Sequence, residues 1–193
     1  FSNVENIMFP NENTGYAVAW SGIIIKTTDG GSNWLTKSSG TAEHLYSVYF
    51  INDSNGFAAG WNGTLLKTTD AGETWIAQVS GIDDVLLSTC FINDSIGFIS
   101  GFDGQLLKTT DVGNNWFIQS AGIGLLIPRI KFINEANGFA VGQDGKIGKT
   151  TDGGITWSIQ YCGTEGQLIN LFFIDSNVGF IVGKFGVIYK TTD

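Results

Sequence analysis

The string Lys-Thr-Thr-Asp begins at Lys26, Lys67, Lys108, Lys149 and Lys190, each copy 41 residues after the one before. Phe9, Phe50, Phe91, Phe132 and Phe173 keep the same spacing, as do Gly15, Gly56, Gly97, Gly138 and Gly179. No insertion or deletion interrupts the register. A strict period of this length means stacked copies of one supersecondary unit, none of which can bury its apolar face alone.

Each copy reads as four short strands. In the second repeat, residues 45–51 form the first, and Asn52-Asp53-Ser54-Asn55 turns into the second at 56–61. Asn62-Gly63 is a two-residue hairpin signal leading to the third strand at 64–69, and Asp70-Ala71-Gly72-Glu73 turns into the fourth at 74–79. Four strands in roughly 40 residues is the arithmetic of a propeller blade. Helical repeats of similar length are excluded, because 27 glycines leave no run in which a helix could propagate. The 14 Phe and 6 Trp supply bulk for packing between sheets. The expectation is an all-β propeller of four-stranded antiparallel blades, with repeats at 1–41, 42–82, 83–123, 124–164 and 165–193. The last lacks its outer strand. Either five blades close with that blade incomplete, or the chain is a fragment of a longer propeller; an exposed third strand favours the second, since sheet edges are normally covered.

The turn between third and fourth strands recurs as Thr27 to Trp34, Thr68 to Trp75, Thr109 to Trp116 and Thr150 to Trp157. The turn closes on itself: an Asp carboxylate accepts amides just downstream, Gly supplies a positive φ, and Trp buries its ring. Asp29, Asp70, Asp111, Asp152 and Asp193, with Trp34, Trp75, Trp116 and Trp157, are therefore read as scaffold. These turns resemble the Asp box of sialidase-like propellers. The whole repeat, with its Gly-Phe-x-x-Gly and Leu-Leu-Lys-Thr-Thr-Asp strings, looks most like the photosystem II assembly-factor family of propellers and its bacterial relatives. The resemblance implies an accessory role at a membrane complex as one alternative.

Chemistry is sparse. Recurrence in every blade makes the Asp and Lys rings structural, since a catalytic site breaks symmetry. One Asp per turn is too few for calcium, and no metal or cofactor is expected. The net charge of −8 and the single arginine, Arg129, exclude nucleic acid as a partner and sialidase as an activity. Xyloglucanase-type glycosidases place two carboxylates across a cleft, and the candidate pairs are Asp83 with Asp84 and Asp103 with Asp144. Solvated surface acids explain them better, so no enzyme activity is expected; part of a carbohydrate-active enzyme is the alternative. No apolar run reaches the length of a membrane span. Cys90 and Cys162 occupy non-equivalent repeat positions and are read as free, buried thiols. His44, the sole histidine, has no ligand or nucleophile partner at a diagnostic spacing and is read as a surface residue.

Comparing the repeats with one another concentrates variation in the second-to-third-strand turns and the inter-blade loops, which share one rim. There the turns carry Trp20, Trp61 with Asn62, Phe102 with Asp103, Asp144, and Phe185; the loops add Glu43-His44, Asp83-Asp84 and Gly124-Leu125. Aromatics beside amides and carboxylates suit a protein or a glycan. Arg129 and Lys131 replace polar or apolar residues of an innermost strand and are expected to line the axis and meet acidic loops. The expected function is a noncatalytic binding or scaffold module with a protein or glycan partner. By resemblance to secreted and cell-surface bacterial repeats, it is expected to act outside the cytoplasm.

Overall fold

The computed structural model describes residues 3–124 and 126–192, so Asp193 and Leu125 lie outside the described residues. The described residues form five antiparallel sheets, with helix confined to two 3-10 turns. Blade one holds β1 (Val4–Met8), β2 (Gly15–Ala19), β3 (Ile24–Thr27) and β4 (Leu35–Lys37). Blade two holds β5 (Leu45–Phe50), β6 (Gly56–Gly60), β7 (Leu65–Thr68) and β8 (Ile76–Gln78). Blade three holds β9 (Leu86–Phe91), β10 (Gly97–Gly101), β11 (Gln105–Thr109) and β12 (Phe117–Ser120). Blade four holds β13 (Arg129–Phe132), β14 (Gly138–Val141), β15 (Lys146–Thr150) and β16 (Ser158–Tyr161). Blade five is three-stranded, with β17 (Leu168–Phe173), β18 (Gly179–Gly183) and β19 (Ile188–Thr191). The innermost strands β1, β5, β9, β13 and β17 pack on one another in that order and line one axial groove. This is a propeller arrangement.

The core lies between blades. Tyr16, Val18 and Ile24 of the first blade cluster with Leu45, Val48, Phe50 and Trp75 of the second, and equivalent clusters fill the next three interfaces. In each of the first three interfaces an aromatic on one blade's second strand stacks on the phenylalanine ending the next blade's first strand. Tyr16 lies 3.8 Å from Phe50, Phe57 5.1 Å from Phe91 and Phe98 4.7 Å from Phe132, measured between ring centroids. The Asp-box indole closes the group edge-on: Trp75 on Phe50, Trp116 on Phe91, Trp157 on Phe132. Such pairs contribute about 0.5–1.5 kcal/mol each beyond the area they bury.

Two glycines per repeat make that packing possible. A Cβ on Gly97 would lie 2.5 Å from the Phe91 ring, and Gly15, Gly56, Gly138 and Gly179 face the same constraint. In the Asp box, Gly72, Gly113 and Gly154 have positive φ, and a Cβ there would strike Tyr16, Phe57 or Phe98 of the preceding blade.

The box itself is a closed circuit of hydrogen bonds. Thr68 Oγ1 donates to Asp70 Oδ1 at 2.8 Å and accepts the Gly72 N–H at 2.9 Å; Asp70 Oδ1 accepts the Thr74 N–H, and Oδ2 accepts the Thr74 hydroxyl at 2.6 Å. The boxes of Asp29, Asp111 and Asp152 repeat the pattern. The lysines that open the first three strings reach forward. Lys26 Nζ donates to Ala71 O and Glu73, Lys67 Nζ to Val112 O and Asn114, and Lys108 Nζ to Gly153 O, each in the next blade's box. All five lysines also sit over a second-strand ring of their own blade, 5.1–6.0 Å from its centroid. The two rings of charge are thus turn closures and inter-blade clamps.

Two predictions follow from this frame. Gly113→Ala combines backbone strain at φ +70° with a Cβ 2.3 Å from Phe57, and should destabilise the fold by about 2–4 kcal/mol in urea titration. The box carboxylates are held at about 2, below their ordinary 3.8, first by side-chain donors (Asn33, Thr74, Asn115, Thr156) and then by backbone N–H groups. Because the folded value lies below the unfolded one, their contribution is present above about pH 4 and is lost as pH falls toward about 2. Urea midpoints measured across that window should fall with pH, and the Asp70→Asn variant should show a shallower fall.

Candidate functional site

Turn-to-turn hydrogen bonds sort the loops onto two rims. The box turns bind the first-to-second-strand turns, as when the Gly30 N–H donates to Asn13 O at 2.8 Å and the Ala71 N–H to Ser54 O at 2.9 Å. The second-to-third-strand turns bind the inter-blade loops: Trp61 N–H donates to His44 O at 2.9 Å, Gly63 N–H to Asp84 O at 2.6 Å and Lys184 N–H to Gln167 O at 2.9 Å. The variable positions therefore share one rim, as the repeat comparison anticipates.

Turn chemistry accounts for several of the residues singled out there. Ser21, Asn62, Asp103, Asp144 and Phe185 have φ of 50–63°, and each is followed by a glycine that is also left-handed. Two successive positive φ values define the type I′ hairpin, which favours Asn and Asp at its first position. Asn62, Asp103 and Asp144 fit that preference. Phe185 does not: a bulky residue held in the left-handed region with 91% of its surface exposed has no packing reason to be there.

The most organised part of the rim joins blades one and two. His44 lies between two indoles, its ring 4.8 Å from Trp20 and 5.2 Å from Trp61 by centroid, with interplanar angles of 12° and 11°. The Ser21 N–H donates to His44 Nδ1 at 3.0 Å, and Trp20 Nε1 donates to Glu5 Oε1 at 2.6 Å. His44 is half-buried in this stack, a correction to its reading as a free surface residue. The flanking indoles keep 37% and 44% of their surface exposed, and Phe102 of the next blade keeps 40%.

The candidate carboxylates have separate local surroundings. Asp84 Oδ1 accepts the neighbouring Val85 N–H at 2.7 Å, Asp144 lies 3.8 Å from Lys146 Nζ, and Asp83 and Asp103 are exposed. Among the described residues no group of three or more His, Cys, Asp or Glu side chains could hold a metal ion. Both cysteines are free; Cys90 is buried, and burial pushes its thiol above the usual range. Cys162 is only half-buried, its Sγ donating to Gly145 O at 3.3 Å, which corrects the expectation that both are fully enclosed. Arg129 and Lys131 line the axial groove, as expected, but neither pairs with an acidic loop among the described residues. No helix among those residues is long and apolar enough to cross a membrane.

Five sheets around an axis, box turns on one rim and an aromatic stack on the other define an Asp-box β-propeller. The model of the photosynthesis system II assembly factor YCF48 family matches residues 2–77 and 38–120, and the chain belongs to that family. Among solved structures, YCF48 from Cyanidioschyzon merolae is 18% identical with a TM-score of 0.77, over 98% of this chain and 69% of that one. A structure described as YCF48 bound to D1 peptide is 14% identical with a TM-score of 0.56, over 100% and 92%. An ancestral GH74 enzyme is also 14% identical, with a TM-score of 0.80, over 98% of this chain and 30% of that one. At such identities these structures show a shared fold. No curated protein matches the sequence.

His44→Ala should remove both stacking contacts and the Ser21 acceptor at once. A loss of about 1–3 kcal/mol is expected in thermal or urea unfolding, with far-UV dichroism of the native state unchanged.

Proposed function

We propose that this chain is a noncatalytic propeller module that binds a polypeptide across its loop rim. The observation that carries the reading is the Trp20–His44–Trp61 stack, a pre-ordered aromatic surface left partly open to solvent, with Phe102 exposed in the equivalent turn of the next blade. Ordered aromatics present large contact area at small entropic loss, which is why Trp and Tyr dominate binding hot spots. Asn62 and Asp103 follow Trp61 and Phe102 in their turns, and Asp144 and Phe185 occupy the equivalent turns of blades four and five. Membership of the YCF48 family supports a polypeptide as the kind of partner, as does a member described as bound to D1 peptide. An assembly or accessory role at a membrane complex is the finer form of the same reading. The likeness to secreted bacterial Asp-box repeats supports an extracytoplasmic setting.

The D1 peptide is the first probe to test, beside unrelated peptides and a glycan array. Trp61→Ala and Phe102→Ala should each weaken binding roughly tenfold or more while moving the melting temperature by only a few degrees. Retention on glycans without peptide binding would replace the reading by a lectin-like one. A large loss of stability with binding unchanged would reassign the stack to the scaffold.

A further inference from the structure

The innermost strands carry a ladder of side-chain acceptors that ties each blade to the next. Asn6 Oδ1 accepts the Val48 N–H at 3.3 Å, Ser47 Oγ accepts that of Thr89 at 3.0 Å, and Ser88 Oγ accepts that of Ile130 at 3.4 Å. The next residue in this series is Arg129, and a guanidinium has no acceptor to offer. Its Nε donates instead to Asn170 Oδ1 at 3.0 Å, while the same oxygen accepts the Leu171 N–H at 2.9 Å. The rung between blades four and five is therefore inverted. Blade four departs from its neighbours just upstream as well: Pro128 stands where blades one, two and five place Glu5, Tyr46 and Ile169 at an irregularity of strand pairing.

The inversion changes the charge of the groove. Residues 6–8, 47–49, 88–90, 129–131 and 170–173 line a cavity of about 460 Å³; among the described residues its lining contains Arg129 and Lys131 and no carboxylate, in a chain whose net charge is −8. Residues 129 and 131 alternate with the buried Ile130 and Phe132, so both cations lie on the same side of β13. Arg129 is half-buried, and loss of hydration pulls its guanidinium below its ordinary pKa. A partly dehydrated cation without a counter-charge is an unfavourable arrangement that an anion would relieve. With Nε committed to Asn170, the guanidinium is oriented and its remaining N–H groups can meet a planar oxyanion.

We propose that the axial groove is a carboxylate-binding site, in which Arg129 receives the anion and Lys131 adds a second positive charge. The carboxylate could belong to a small acid or to the end of a peptide, and the site is independent of the aromatic rim. Because Arg129 is the chain's one arginine, its Nε–Hε resonance reports on the site without ambiguity. At constant ionic strength, the intact chain is titrated with sodium glutarate, with triglycine as free acid, with triglycine amide and with inorganic phosphate. A saturable shift of that resonance is expected with glutarate or free-acid triglycine and not with the amide; which of the two binds more tightly separates the two sources. Arg129→Ser restores the acceptor found at Ser47 and Ser88, so it should fold with an unchanged or higher melting temperature. Affinity for the better acid, read as its thermal up-shift of the melting temperature, should fall roughly tenfold or more in that variant. Lys131→Met should lower it several-fold. No saturable shift with either acid, undiminished binding by Arg129→Ser, or tighter binding of phosphate than of either acid would overturn the proposal.

Discussion

In the Asp-box turns of blades two, three and four the last strand is launched and the preceding blade finds its support. Gly72, Gly113 and Gly154 leave room for Tyr16, Phe57 and Phe98, and the carbonyls of Ala71, Val112 and Gly153 receive Lys26, Lys67 and Lys108. The carboxylate at the centre of the turn holds those carbonyls in place. One local device thus supplies turn closure, aromatic packing and a seat for the preceding blade's lysine together. Its repetition makes the molecule a near one-dimensional stack, in which each blade's stability depends chiefly on its neighbours.

The opposite rim carries a lighter structural duty: its turn geometry, the turn-to-loop hydrogen bonds and the stack around His44. The type I′ hairpins need two left-handed residues, and Asn, Asp and Gly satisfy the need at little strain. What remains on that rim beyond turn chemistry is the Trp20–His44–Trp61 stack, Phe102 and Phe185. The axial groove shows the same logic from inside: Asn6, Ser47 and Ser88 tie blades together as acceptors, whereas Arg129 makes its inter-blade bond as a donor and adds a positive charge. Departures from the repeat, more than the repeat itself, mark where this propeller differs from a bare scaffold.

Much of this was legible from the 41-residue period. Spacing located every strand of blade two to within a residue or two, and the recurrence of Thr-x-Asp-x-Gly with Trp identified the boxes, because a self-closing turn depends on residues only a few positions apart. His44 was not legible. Its neighbours Trp20 and Trp61 lie in different turns, and the three rings become parallel only through the packing of one blade on the next. The forward reach of the lysines was hidden for the same reason: the partners of Lys26 lie 45 and 47 residues away.

The sequence by itself determined the blade: its four strands, its turn types, its glycine and tryptophan positions, and the rim on which variation falls. All of these rest on local backbone geometry or strict periodicity. Only the tertiary structure decided what the irregular residues do. Whether Arg129 meets an acidic loop or Asn170, and whether His44 is solvated or stacked, depend on the angle and distance between successive blades. Packing between sheets sets those quantities, and no spacing along one chain encodes them directly.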